Sequence, residues 1–243
     1  MHERGVRWFS ISDHDTLAAY AQIDVPQTMR LVRGVEINTT YDDGEVHVLG
    51  YGMAADDRPF DALLQRNRDA RRIRVGKIVE QLQRSGYAIS MDEVQAQAKQ
   101  GAALGRPHVG KALIQLGITG DIESAFRDFL RRGAPGYVPS THITPHEAID
   151  AIASAGGIAV LAHPGRLKNH GIVGELVERG LAGLEVFYPR HDAAQTQHFR
   201  DMARRYRLVM SAGADFHDIR YNRRGVGMEV DEADIRPFLE RFS

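Results

Sequence analysis

The chain of 243 residues has no cysteine. That excludes disulfides, thiolate metal ligands and thiolate nucleophiles, and it suits the cytosol. A surplus of charge is also missing: 31 Lys and Arg stand against 32 Asp and Glu, a formal net charge of −1. The chain therefore lacks the overall basic character of a nucleic-acid coat, although a local basic groove remains open. No apolar run approaches the roughly 18 residues of a membrane-spanning helix. The start, Met1-His-Glu-Arg-Gly-Val6, carries no apolar signal core. The expectation is a cytoplasmic protein with no membrane partner and no obligate protein partner. Internal repeats and low-complexity tracts are absent too.

What is present is a chain with 43% hydrophobic residues, enough to bury one large core and a smaller lobe. Short runs rich in Val, Ile and Leu read as strands at Trp8–Ser12, Leu31–Ile37, Val46–Tyr51, Ile158–Ala162, Leu184–Phe187 and Leu208–Ser211. They read as non-alternating, the pattern of strands buried on both faces in a parallel sheet. Thr144-Pro-His-Glu147 predicts a capped helix start. Phe199, Met202, Ala203 and Tyr206 form a helical stripe. Between residues 58 and 140 helix follows helix, with Val75, Ile78, Val79 and Leu82, then Val109, Ala112, Leu113 and Leu116, then Ile122, Ala125, Phe126 and Phe129. Ser90-Met-Asp-Glu93 is a further capping box. The expected division is a barrel from 1–57 and 141–243, with 58–140 as an inserted helical lobe.

His14, Glu36, His47, His163, Asp215 and His217 each lie at or just past the end of an apolar run. In a parallel α/β barrel those ends open on one face, where functional residues gather. Imidazoles and carboxylates without thiols form a ligand set for Zn, Mn or Fe. The six residues therefore predict a polynuclear metal site. Arg106 and His108, in Gly105-Arg-Pro-His108, are candidates for gripping a substrate phosphate; the other reading is a helix start around Pro107. Arg190, in Phe187-Tyr-Pro-Arg-His191, could reach the same mouth. Asp13 could orient a ligand from behind. Asp15 could be a helix N-cap. The five arginines between Arg66 and Arg74 read as a solvated helix face or an RNA-tracking surface. His142, His146, His170, His191 and His198 read as non-ligands.

Five motifs follow one another in the order seen in the PHP (polymerase and histidinol phosphatase) superfamily: Ser12-Asp-His-Asp-Thr16, Gly34-Val-Glu-Ile37, His47-Val-Leu-Gly-Tyr51, Ala162-His-Pro-Gly-Arg166 and Ala214-Asp-Phe-His217. Gly105–His108 and Tyr137–Pro139 match as well. The chain resembles the branch that holds 3′,5′-nucleoside bisphosphate phosphatases and 5′→3′ exoribonucleases. The resemblance implies a distorted (β/α)7 barrel with an inserted helical lobe, two to three divalent metal ions (Mn, Fe or Zn) and hydrolysis by metal-activated water. It implies that Glu36 bridges two ions, that His47 and His163 complete the second site, that His14 and His217 hold the third, and that Asp215 serves the first. A nucleotide or a short RNA would be the substrate. The family's opening Asp-Leu-His-x-His-Ser strand and Ser-Asp-Gly have no match. The expectation is thus a barrel lacking its first strand, with incomplete first and third sites and low turnover. The alternatives are a small-metabolite phosphatase of the histidinol-phosphate kind and a non-catalytic metal- or nucleotide-binding remnant.

Overall fold

A computed structural model describes residues 4–42, 44–99, 101–140, 143–217 and 225–243. His142 lies outside the described residues. Among the described residues, two sheets and eight α-helices form a mixed α/β fold. β1 (Trp8–Phe9) pairs in parallel with β2 (Arg30–Leu31). The second sheet has the order β3 (Gly34–Tyr41), β4 (Gly44–Tyr51), β5 (Ile158–Leu161), β6 (Gly183–Phe187) and β7 (Val209–Ala212). Beyond β1 the chain runs beside β3: His14 bridges Glu36, Asp15 N donates to Glu36 O at 2.9 Å, and Glu36 N donates to Asp13 O at 3.2 Å.

Strand direction departs from the parallel expectation. β4 is antiparallel to both β3 and β5, and only β5, β6 and β7 run parallel. The reason is the connection. Tyr41 pairs with Gly44, so two residues join β3 to β4, and a link that short joins only antiparallel strands. The described residues form open sheets and no closed barrel.

The alternation missed in the sequence is also here. Val35, Ile37, Val46 and Val48 enter the main core, with Phe60, Ile149, Ile152, Leu161, Leu184 and Phe199. Glu36, Asn38, Glu45 and His47 occupy the alternate positions, and the register places Asn38 directly opposite His47. One face of the hairpin is thus apolar and the other carries chemistry. β5 is apolar on both faces, with Ala159 and Leu161 in the main core and Val160 in a second cluster with Leu49, Tyr51 and Phe238. The helices α5 (Pro145–Ser154), α6 (Ile172–Glu178) and α7 (Ala193–Tyr206) precede β5, β6 and β7, and α8 (Glu232–Leu239) packs against β7. The capping box at Thr144 and Glu147 forms as expected, as does the one at Ser90 and Glu93 on α2 (Met91–Gln95).

α1 (Arg58–Arg84) is the longest element. Asp57 caps it by accepting from Phe60 N at 2.8 Å, and a proline sits in its first turn. Its buried stripe runs Phe60, Leu64, Asn67, Arg71, Arg74, Ile78, at alternating steps of four and three. Phe60 and Leu64 join the main core. Val75, Ile78, Val79 and Leu82 join a separate cluster with Val109, Leu113, Ala125 and Leu130 from α3 (Arg106–Gln115), α4 (Ile122–Ala125) and the π-helical turn Phe126–Leu130. Between the two apolar ends the stripe turns polar, and that polar stretch faces the candidate site.

Candidate active site

Glu36, His47 and His163 meet at one point. His47 Nδ1 lies 2.6 Å from Glu36 Oε1 and 3.2 Å from His163 Nε2, and His163 Nε2 lies 3.1 Å from the same Glu36 oxygen. The other Glu36 oxygen, Oε2, faces His14 Nδ1 at 3.6 Å. The donor atoms of His14, Glu36 and His47 all fall within 4.8 Å of one another. Glu36 and His47 project from the middle of β3 and β4, rather than from strand ends. His163 follows β5, where a left-handed backbone (φ 29°) turns the chain from strand to helix. Asp15 and Asp215 also have positive φ, so three of the five such non-glycine residues among those described belong to this region. Backbone strain of this kind persists where surrounding contacts over-determine it.

The donor set fits a divalent cation. In a tetrahedral shell with bonds near 2.1 Å, donors stand about 3.4 Å apart, close to the spacings seen. His163 enters the cluster through Nε2; its other ring nitrogen, Nδ1, is directed away from that point and is buried with no hydrogen-bond partner among the described residues. Burial drives the His14 imidazole down to about 3, against the pull of Glu36, so it is held neutral as a ligand must be. Burial pushes Glu36 up, but the hydrogen bonds it accepts from His163 and His47 help to hold it well below the usual carboxylate range, so the carboxylate is ionised.

Asp215 and His217 follow β7. Asp215 accepts from Tyr188 OH at 2.9 Å, and it lies 3.7 Å from Arg166 and 3.3 Å from His217 Nδ1. The His217 ring centroid is 5.9 Å from that of His14, which places the Asp215–His217 segment beside the cluster. Asp13 is exposed and meets Glu36 through its backbone carbonyl.

Asp15 is no helix cap. The short helical turn after it is preceded by Leu17 without a side-chain cap. Asp15 is fully buried, and its carboxylate accepts from Asn38 N (3.1 Å), Asn38 Nδ2 (2.8 Å), Asn67 Nδ2 (2.9 Å) and Arg71 Nη1 (3.3 Å). Asn38 Nδ2 also reaches His14 Nδ1 at 3.0 Å. Asp15 thus ties a candidate ligand to α1.

A cleft beside the cluster is lined by Asn38, Glu45, His47, Arg71, Arg74 and Arg106, among others. Two of the five arginines read as a solvated face, Arg71 and Arg74, are in fact buried. They fall on the inward stripe of α1 and donate to other segments of the chain: Arg71 Nε to Leu104 O at 2.7 Å and Nη1 to Asp15 at 3.3 Å, Arg74 Nε to Val138 O at 3.0 Å and Nη1 to Glu45 Oε1 at 2.6 Å. Arg106 donates to Glu45 Oε2 at 2.6 Å and stacks 5.6 Å from the Phe126 ring centroid. Burial lifts Glu45, but Arg106 and Arg74 bring it down to about 2. His108 Nδ1 accepts from Gly105 N at 3.1 Å, which starts α3, and burial with the Lys111 and Arg71 charges lowers it to about 4. At Gly105 a Cβ would lie 2.6 Å from Arg71 Nη2, so a side chain there would push that guanidinium aside. Arg190 is exposed just past β6.

Sequence reasoning missed Asn38, Glu45, Asn67, Arg71, Arg74 and Glu185. A signal existed for three of them. Asn38 and Glu45 share a strand face with Glu36 and His47 at period two. Glu185 is a lone charge in the apolar run Gly183–Phe187. It is buried, accepts from His163 N at 2.7 Å, and is pushed well above the usual carboxylate range by burial and by Glu36 and Asp215.

No family model matches the chain. It is 31% identical over 227 residues to the 5′-3′ exoribonuclease Rnm of Escherichia coli, covering 88% of this chain and 76% of that protein. The chain belongs to the PHP-type phosphoesterases. Within the family it is 29% identical over 233 residues to the 3′,5′-nucleoside bisphosphate phosphatase of Chromobacterium violaceum, covering 91% of this chain and 81% of that one. A solved structure of a candidate metal-dependent phosphoesterase from Bifidobacterium adolescentis superposes with a TM-score of 0.87 at 29% identity, covering 99% of this chain and 87% of that one. An amidohydrolase from Chromobacterium violaceum, solved with sulfate and no metal, gives 0.83 at 26% identity, covering 95% and 83%.

Proposed function

We propose that this PHP-type phosphoesterase hydrolyses phosphate esters of nucleotides, with a nucleoside 3′,5′-bisphosphate or the 5′ end of a short RNA as substrate. The observation that carries the reading is the juxtaposition of a thiol-free donor cluster, Glu36–His47–His163 with His14, and an arginine-lined cleft beside it that shares His47. The names of the relatives point the same way. Divalent ions (Mn, Fe or Zn, two to three in a complete family member) would be held by His14, Glu36, His47, His163, Asp215 and His217. Glu36 suits a bridging role because its two oxygens face different histidines. Divalent ions held there supply Lewis-acid activation of water and neutralise phosphate charge.

The chain's own residues bind and orient. Arg106 grips a phosphate of the substrate as a planar fork, with Arg166 across the cleft. Arg190 is a second candidate at the mouth. Asn38 holds the His14 ring, and Glu185 holds the turn that presents His163. His108 fixes the start of α3 and so the origin of Arg106. The segment 58–140 serves as a helical insert that admits substrate over a barrel-type body formed by 1–57 and 141–243. A second reading, a phosphorylated sugar as substrate, is favoured by 27% identity over 221 residues to a phosphoribosyl 1,2-cyclic phosphate 1,2-diphosphodiesterase of Eggerthella lenta.

The test is phosphate or nucleotide release from a nucleoside 3′,5′-bisphosphate and from 5′-end-labelled RNA, by protein whose metal content has been measured. Turnover on either substrate is expected. Glu36→Gln should cut both metal content and turnover by more than the ~10–100-fold typical of residues that only support ligands. Metal-loaded protein inert on both substrates would overturn the reading.

A further inference from the structure

The arginine-lined cleft holds one carboxylate among its described lining residues, and the function above makes no use of it. Glu45 lies two residues before His47 on β4, so both side chains leave the same face of the strand. Its oxygens are divided between two guanidiniums: Oε1 takes Arg74 Nη1, and Oε2 takes Arg106 Nη2, each at 2.6 Å. An anion bridging two guanidiniums is the arrangement in which a phosphate is gripped. Glu45 supplies that anion from within the chain.

The two arginines differ in their freedom to exchange partners. Arg74 is held from behind by Val138 O at 3.0 Å, and its side chain is 9% exposed. Arg106 opens α3 and lies over the Phe126 ring, and its side chain is 26% exposed. An incoming phosphate can therefore take Arg106 while Arg74 stays on Glu45.

We propose that Glu45 is an internal counter-anion of the phosphate-binding wall. Its carboxylate holds the Arg106 donors that a substrate phosphate takes over, and this competition sets the affinity of the cleft for phosphate. The proposal rests on Arg106 acting as the phosphate grip. A doubly charged phosphate outbids a singly charged carboxylate for a guanidinium, but only by the difference between the two. The cleft consequently binds phosphate groups less tightly than its arginines would alone, and a phosphate product leaves more readily. Binding that is equally strong for substrate and transition state gains nothing in turnover, so holding it down is not a loss.

The experiment compares wild type, Glu45→Gln, Arg106→Gln and the double variant. It uses sulfate binding by calorimetry, and KM with phosphate-product inhibition of the metal-loaded enzyme on a nucleoside 3′,5′-bisphosphate. Glu45→Gln keeps the shape and removes the charge. It should bind sulfate about tenfold tighter, the value of one charge-assisted hydrogen bond regained, with lower KM and stronger inhibition by phosphate. The double variant should return to the Arg106→Gln affinity. Glu45→Asp, which keeps the charge but withdraws it by one methylene, should fall between wild type and Glu45→Gln, and it carries the same sign should the glutamine variant not fold. Unchanged or weaker sulfate binding in a folded Glu45 variant would overturn the proposal and make Glu45 a brace for Arg106. If Arg106→Gln weakens sulfate binding while the Glu45 variants do not tighten it, this inference alone fails. If Arg106→Gln changes neither sulfate affinity nor KM, the grip itself is wrong and both fall.

Discussion

The sheet side and the helix side of the cleft differ in how their polar atoms are used. On the sheet side, Glu36, His47 and His163 face one another at 2.6–3.2 Å. On the helix side each guanidinium is tied to something in the chain. Arg71 holds Leu104 O and Asp15, Arg74 holds Val138 O and Glu45, and Arg106 holds Glu45. Imidazole and carboxylate atoms converging on one point form a donor set for a cation. Cations already neutralised by carboxylates are preorganised for exchange. The first wall has a donor set that a cation fits; the second meets its charges within the chain.

Asp15 is where the two walls join, so removing it is the strongest way to break the comparison. Asp15→Ala would leave Arg71 buried without its charge partner and two asparagine amides short of an acceptor. The expected cost is about 3–5 kcal/mol in urea unfolding. A loss below 1 kcal/mol would mean that the walls are held independently.

Acid should loosen the helix wall through Glu45. Its carboxyl is held at about 2 against an ordinary value of 4.5. A depressed value means the stabilisation is whole above pH 4.5 and is lost as pH falls towards 2. Its size is bounded at ~3 kcal/mol. The stability gap between wild type and Glu45→Gln should therefore shrink from pH 7 to pH 3; a constant gap would contradict the ion pairs.

Arg106→Ala should raise KM for a phosphate-bearing substrate by the equivalent of about 1.5–3 kcal/mol, with metal content unchanged. That separation of effects sharpens the division between the walls, and falling metal content would blur it. The smallest effect is expected at Arg190, exposed at the surface: Arg190→Ala should change stability by at most ~0.5 kcal/mol. A larger shift in Tm would show that the side chain packs.

The same contrast explains what could be read in advance. The sheet wall was legible because histidine and glutamate inside apolar runs are rare, and their order along the chain matched a known set of motifs. The helix boundaries were legible where a side chain does the capping, as at Thr144 and Ser90. Arg71 and Arg74 were not legible. Arginine on a helix usually faces solvent and is buried only when paired, and the partners here are a carbonyl at 104 and carboxylates at 15 and 45. Those partners come from other segments. The direction of β4 was missed for a local reason: the two-residue link at 42–43 dictates it, but a run of valine and leucine masks the alternation of β4.

That hairpin makes the site intolerant of small length changes. Glu36, Asn38, Glu45 and His47 share one face only because Asn38 stands opposite His47 across the two-residue link. Deleting or inserting one residue in the link while keeping the ladder would turn Glu45 and His47 into the apolar core and send Val46 and Val48 into the cleft. A single-codon indel there would erase a candidate ligand and a counter-anion together, whereas the same indel in a surface loop would pass unnoticed.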